Sequence, residues 1–152
     1  MTKVLFVCLG NICRSPMAEF LFKDMVDKKG LKNDFYIASA GTSAEEYGNP
    51  VHRGTRRKLA EYGISCDGKY ARQINKDDYD RFDYIITMEE IHIRQIERII
   101  GPDRDKKVYN LLDFSDNPRD IADPWYTGNF DETYDDIVEG LEGFFKFIDN
   151  KK

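Results

Sequence analysis

Apolar and polar positions along the chain alternate between two periods. Lys3–Cys8 (K-V-L-F-V-C) is an almost unbroken apolar run, the pattern of a strand buried on both faces. A helical period follows, with Met17, Phe20, Leu21 and Met25 on one face and Gly30 as its stop. Ser15 is predicted to be the N-cap of that helix, with Pro16 at the first helical position, where a missing N–H costs nothing. Asp34–Ser39 predicts a second strand, closed by A-G-T, and Val51–Tyr62 a helix ended by Gly63. Asp83–Met88 predicts a third strand, and Glu89–Ile100 a helix with Ile93, Ile96 and Ile100 along one stripe. Lys107–Leu111 is the fourth strand, and Asp113–Asn129, rich in Asp, Asn and Pro, reads as a loop. Glu132–Asp149 closes the pattern as a helix with Ile137, Leu141, Phe144, Phe145 and Ile148 facing inward.

Strands alternating with helices imply an α/β fold, a parallel sheet with right-handed crossovers and helices on both faces. Ligands of such sheets bind outside the carboxyl ends of the strands. The segment Cys8–Ser15 is the first such end.

Composition narrows the picture. At 152 residues the length fits one domain, and 34% charged with 41% hydrophobic residues is an ordinary globular mixture. No apolar run approaches the ~20 residues of a membrane span. M-T-K-V-L-F-V lacks the long apolar segment of a signal peptide, so a cytoplasmic protein is expected, with no membrane partner. A net charge of −5 argues against a nucleic-acid partner, and the basic run Arg53–Lys58 reads as the solvated face of a helix. Three cysteines with no C-x-x-C give neither a disulfide framework nor a zinc knuckle; Cys66 reads as a small, inert turn residue.

The other two cysteines fall in C-L-G-N-I-C-R-S, Cys8–Ser15. Between a strand and a helix, Gly10 and Asn11 can take the tight or left-handed conformations that turn successive N–H groups into one concave nest. The helix beginning near Pro16 adds the positive end of its dipole. Arg14 adds a planar fork matched to two phosphate oxygens. The string is neither a Walker loop nor a dinucleotide fingerprint, since G-x-x-x-x-G-K-[ST] and G-x-G-x-x-G are both absent. Cys8 instead opens the loop and can point at its centre, where the same donors favour a thiolate and Ser15 can donate to the sulfur. A thiolate in a phosphate nest predicts attack on phosphorus through a cysteinyl-phosphate, with the charge stabilised by N–H groups and a guanidinium without metal or cofactor. The leaving group still needs a proton from a carboxylic acid. Asp113, Asp116, Asp120, Asp123 and Asp131 are all candidates, and Pro124 stiffens the loop beside Asp123.

Cys8–Glu19 (C-L-G-N-I-C-R-S-P-M-A-E) and Asp123–Tyr126 (D-P-W-Y) together resemble the signature and the general-acid motif of the low molecular weight protein tyrosine phosphatases. S-A-G-T (Ser39–Thr42), G-N-P (Gly48–Pro50), A-R-Q-I (Ala71–Ile74) and F-D-Y-I (Phe82–Ile85) resemble the intervening family pattern, so the likeness spans nearly the whole chain. The resemblance implies a single-domain three-layer sandwich over residues 1–152, with a Rossmann-like four-stranded parallel sheet of order 2-1-3-4. It implies metal-independent hydrolysis of phosphotyrosine and aryl phosphates, with acid phosphatase activity. Cys8 is then the nucleophile, Arg14 the phosphate clamp and Asp123 first acid and then base. The phosphate loop comprises Leu9, Gly10, Asn11, Ile12, Cys13, Arg14 and Ser15, and Asn11, Ser15 and Ser39 support its shape. Substrates are phosphotyrosine proteins, phosphate and other oxyanions are inhibitors, and the protein is expected to be a monomer.

Trp125 and Tyr126 either pin their loop to the core or wall the cleft; the resemblance favours the wall, with Tyr47 nearby. Cys13 either packs the loop or, by the resemblance, forms a reversible disulfide with Cys8 on oxidation. Three positions depart from the family pattern. Lys69 stands where a histidine is common and Glu89 where an aspartate follows the methionine, so a Lys69–Glu89 pair is a natural expectation. Glu45 stands where an aromatic often flanks the cleft. Arsenate-reducing relatives need a further cysteine pair, and only Cys66 lies outside the loop. Relatives acting on phosphoarginine carry threonine where this loop has Ile12. A non-catalytic phosphotyrosine-binding module would not need Cys8, Arg14 and Asp123 together.

Overall fold

β1 (Thr2–Cys8) runs through the interior of a four-stranded parallel sheet, flanked by β2 (Phe35–Gly41) and β3 (Tyr84–Thr87), with β4 (Val108–Asn110) at the far edge. The order is β2-β1-β3-β4. This computed structural model describes residues 1–151. Six helices surround the sheet: α1 (Arg14–Lys28), α2 (Arg53–Ala60), α3 (Lys76–Arg81), α4 (Glu90–Ile100), α5 (Pro124–Thr127) and α6 (Phe130–Asp149).

The unbroken apolar run of β1 follows from having a core on each side. Val4, Phe6 and Cys8 pack into one cluster with Met17, Phe22, Ile137, Leu141 and Phe144 of α1 and α6. Leu5 and Val7 alternate to the other face, where Ile85, Phe82 and Ile96 form a second cluster beneath α4. A single domain with three layers results, as expected for the α/β pattern. No helix among the described residues is long and apolar enough to cross a membrane.

Several local features differ from the sequence-based expectations. Cys13, not Ser15, is the N-cap of α1, and it makes no side-chain capping bond. The Ser15 hydroxyl is used elsewhere, 3.0 Å from Cys8 Sγ. The buried face of α1 is Met17, Ala18, Leu21, Phe22 and Val26, with Phe20 and Met25 on its margin. β2 runs on to Gly41 because its ladder with β1 continues to the pair Cys8–Gly41. α3 escapes a periodicity reading because K-D-D-Y-D-R has no apolar stripe. It is set instead by a reciprocal Asn75–Asp78 capping box. The predicted loop Asp113–Asn129 contains the short helix α5, which Pro124 starts and Gly128, at φ 71°, ends. In the basic run, Arg53, Arg56 and Arg57 are solvated, but Lys58 is buried and pairs with Asp131 at 2.8 Å.

Candidate active site

The carboxyl end of β1 delivers Cys8 to the mouth of the sheet, and the next five residues loop back before α1 begins at Arg14. Four carbonyls of this loop are engaged away from its interior. Cys8 O and Leu9 O accept from Thr42 N and Ser43 N at 2.9 and 3.0 Å, and Ile12 O accepts from His52 N at 2.8 Å. Cys13 O accepts from Thr55 Oγ1 and from Met17 N. With its acceptors committed outward, the loop can give its N–H groups to the interior, and Asn11 N donates to Cys8 Sγ at 3.3 Å.

Asn11 makes the reversal possible at a conformational cost, with φ at 60° in the left-handed region. Its side chain holds it there. Nδ2 donates to Ser15 Oγ at 2.8 Å and to Ser39 Oγ at 3.0 Å, while Oδ1 accepts from Arg72 N at 3.1 Å. Ser39 Oγ in turn donates to the buried Glu19 carboxylate at 2.5 Å. Ser15 Oγ, already accepting from Asn11, has its own hydrogen available for the sulfur.

Arg14 is 2% exposed, and its guanidinium is aimed by fixed partners. Nη1 donates to Glu89 Oε2 at 2.6 Å and to the Ile121 carbonyl at 2.7 Å, and Nη2 lies 3.4 Å from Asp123 Oδ2. Glu89 precedes α4, and the His92 ring one turn on accepts Glu89 N–H at its Nδ1, 3.2 Å away. A ring accepting at Nδ1 while neutral carries its proton on Nε2, which lies 3.5 Å from Glu89 Oε2. Burial, with Arg14 nearby, pushes the His92 pKa down to about 3 and keeps the ring neutral.

Asp123 is the N-cap of α5, with Oδ1 accepting from Trp125 N at 3.0 Å and Oδ2 turned to Arg14. Trp125 rests edge-on against His52, which stacks on Phe130 of α6 at 5.4 Å, so α5 is anchored to the body of the protein through His52. Cys8, Arg14, Asp123, Trp125 and Tyr126 line one cavity of about 160 Å³. Cys13 lines it too, and burial together with Cys8 and Asp123 pushes its pKa up to about 12, so this second thiol keeps its proton. The arrangement can hold a tetrahedral oxyanion over a sulfur, with a guanidinium on one side and a carboxyl group at the rim.

The model of the family described as low molecular weight phosphotyrosine protein phosphatase matches residues 3–152. The chain belongs to that family. It is 44% identical to the low molecular weight protein-tyrosine-phosphatase YfkJ of Bacillus subtilis, over the whole chain and 99% of that protein. The crystal structure of YfkJ superposes with a TM-score of 0.95, covering 100% of this chain and 97% of that one. A low molecular weight protein tyrosine phosphatase from Streptococcus pyogenes is 39% identical with a TM-score of 0.85, covering 96% and 92% of the two chains. A Drosophila arginine phosphatase is 30% identical with a TM-score of 0.87, covering 97% and 98%.

Within this low molecular weight phosphatase, most residues singled out from the sequence converge. Leu9, Gly10, Ile12 and Cys13 line the cavity around Cys8, while Asn11, Ser15 and Ser39 lie beneath it. Trp125 both walls the cavity and packs on the body of the protein, so the two readings are compatible for it, whereas the exposed Tyr126 only lines the cavity. Tyr47 is not brought in: it is 73% exposed, and its neighbours Glu45 and Glu46 line the cavity instead. The expected Lys69–Glu89 pair does not form, because the two residues support different parts of the loop. Lys69 Nζ donates to Ser39 O at 2.8 Å and sits 3.5 Å from Glu19 Oε1, whereas Glu89 holds Arg14. Glu19, Glu46, His92 and the Ile121 carbonyl were given no role by sequence reasoning. Only Glu19 carried a signal, as the one acid within the otherwise apolar stretch Pro16–Phe22 of α1.

Proposed function

We propose that the chain hydrolyses phosphotyrosine in proteins, and aryl phosphates generally, with Cys8 as nucleophile, Arg14 as phosphate clamp and Asp123 as general acid and then base. The observation that carries this reading is the convergence on one cavity of a strand-end sulfur receiving donors, a buried guanidinium and a carboxyl group at the rim. The Cys8 thiolate attacks phosphorus; the S–P bond forms as the P–O bond to the phenol breaks, and Asp123 protonates the departing oxygen. Charge on the equatorial oxygens is met by the loop N–H groups and by Arg14, whose aim is fixed by Glu89 and Ile121 O. Asp123, now a carboxylate, takes a proton from the water that displaces Cys8 and releases phosphate.

The apolar Ile12 and the ring of Trp125 on the cavity wall suit a flat aromatic leaving group. Leu9, Gly10, Asn11, Ile12, Cys13 and Ser15 form the phosphate loop with Arg14, and Tyr126 adds to the cleft. The same reading expects phosphate and other oxyanions as competitive inhibitors, a monomer acting in the cytoplasm, and Cys13 as the partner of Cys8 in a reversible disulfide.

The test is turnover of p-nitrophenyl phosphate and of a phosphotyrosine peptide in EDTA. Wild type is expected to turn over both, and Cys8→Ser neither. An inactive wild type, or a fully active Cys8→Ser, would overturn the assignment.

A further inference from the structure

Three of the residues lining the cavity are acids, Glu45, Glu46 and Asp123, and the single cation among them is Arg14. Arg14 is buried and already paired with Glu89 and Asp123, so its charge serves the floor of the site. The rim contributed by the segment after β2 is therefore anionic. Glu46 is fixed in place. Its Cγ packs over Gly10, 3.2 Å from where a Cβ would stand, and its Oε2 accepts from Asn49 Nδ2 at 2.6 Å. Glu45 is exposed, and no ion pair among the described residues engages it.

Two carboxylates at the mouth of a phosphate site oppose the incoming dianion, whatever molecule carries it. That penalty is common to all phosphotyrosine substrates and cannot rank them. What varies is the charge beside the phosphotyrosine. In an extended peptide, successive residues advance by about 3.3 Å, so the neighbours of an inserted phosphotyrosine lie over the rim. A Lys or Arg there meets Glu45 and Glu46 and offsets the common penalty; an Asp or Glu adds to it.

We propose that Glu45 and Glu46 are specificity-determining residues that select phosphotyrosine flanked by Lys or Arg and reject phosphotyrosine flanked by Asp or Glu. The proposal rests on the phosphotyrosine reading above. Each exposed charge contact is weak. The attractive and repulsive cases differ in sign, however, and two carboxylates act together, so basic and acidic flanks separate by roughly tenfold in kcat/KM at low ionic strength.

The experiment compares two phosphotyrosine peptides identical except for Lys or Glu on both sides of the phosphotyrosine, with p-nitrophenyl phosphate as a substrate that has no flanks. Wild type is expected to prefer the basic peptide about tenfold at low salt, with the ratio falling toward one at high salt. The double variant Glu45→Gln/Glu46→Gln is expected to lose most of that ratio. Glu45→Lys, at an exposed position, is expected to push it toward the acidic peptide. The ratio is taken within each enzyme, so a general loss of activity cancels. Equal rates on the two peptides by wild type, or a ratio unchanged in both variants, would overturn the proposal while p-nitrophenyl phosphate turnover leaves the phosphatase reading standing. Failure on all three substrates would instead remove the phosphatase reading itself.

Discussion

At the scale of single residues, the site depends on side chains with more than one obligation. Asn11 satisfies three partners with one amide and so tolerates a backbone conformation that would otherwise favour glycine. Asp123 caps α5 with one oxygen and faces Arg14 with the other, so the proposed acid is oriented before any proton moves. Asp123→Asn keeps an oxygen for the Trp125 N–H but has no proton to transfer. Its kcat/KM on aryl phosphates with poor leaving groups is expected to fall by about 10²–10⁴, and on highly activated aryl phosphates by far less. A plot of log kcat/KM against leaving-group pKa should therefore steepen in the variant. Parallel plots for the two enzymes would take the acid role away from Asp123. The raised pKa of Cys13 speaks against it as the attacker of phosphorus, and the proposed guard role rests instead on its sharing the cavity with Cys8. Peroxide treatment followed by dithiothreitol is expected to restore wild type more fully than Cys13→Ser, with equal recovery counting against a guard role.

At the scale of elements, the cradle is held from behind by β2 and the residues after it. Gly41 shows how closely. A Cβ there would stand 2.7 Å from Leu9 O and 3.2 Å from Asn11 N, both backbone atoms of the phosphate loop. Gly41→Ala is expected to push the loop off β2. The stability cost is about 1–3 kcal/mol, and the loss of kcat/KM should be larger than that destabilisation alone explains. Thermal melts and kinetics on the same preparation check this, and full activity at reduced stability would show that the loop does not depend on this contact. The strands and long helices were legible because their apolar periods are strong: both faces of β1 and the inward stripe of α6 read directly from spacing. α3 and α5 were not legible. Short polar helices are decided by caps and by proline, signals that carry no period. Ser15 was misread as a cap for a related reason. Its hydroxyl has two competing uses, and a sulfur seven residues earlier is not a partner that local patterns reveal. The Cys8–Ser15 string could be picked out because its cysteine and arginine have no packing rationale at that spacing, whereas Asp123 was one acid among five until the family resemblance, with Pro124 beside it, singled it out. Glu89 and Lys69 could be flagged but not correctly paired, since pairing depends on which strand ends lie together.

At the scale of the whole molecule, ionisable groups are buried under the site, and one of them links stability to pH. His92 titrates near its ordinary value of 6.5 when unfolded and at about 3 when folded. Between these values the unfolded chain binds a proton that the folded one refuses. Stability is therefore full above the unfolded value and is lost as pH falls, at up to about 1.4 kcal/mol per pH unit. His92→Asn retains an acceptor for the Glu89 N–H and does not titrate. Urea midpoints measured at pH 7 and pH 5 are expected to fall for wild type, with a smaller fall for the variant. The carboxylates titrate in both proteins, so the difference isolates His92. An equal fall in both would mean that the imidazole is protonated in the folded state at no cost.

Asp123 follows Cys8 by more than a hundred residues, and β2, β3 and β4 are all added to the sheet between them. A ribosome therefore makes the proposed nucleophile and clamp before their proposed acid. Until the segment carrying Asp123 is made, the emerging polypeptide carries the proposed nucleophile but not the acid proposed to protonate a departing phenol. The full proposed constellation can arise only once that segment has reached Arg14. On the proposed roles, chemical competence is thus deferred until the segment beyond β4 has been made and has reached the loop.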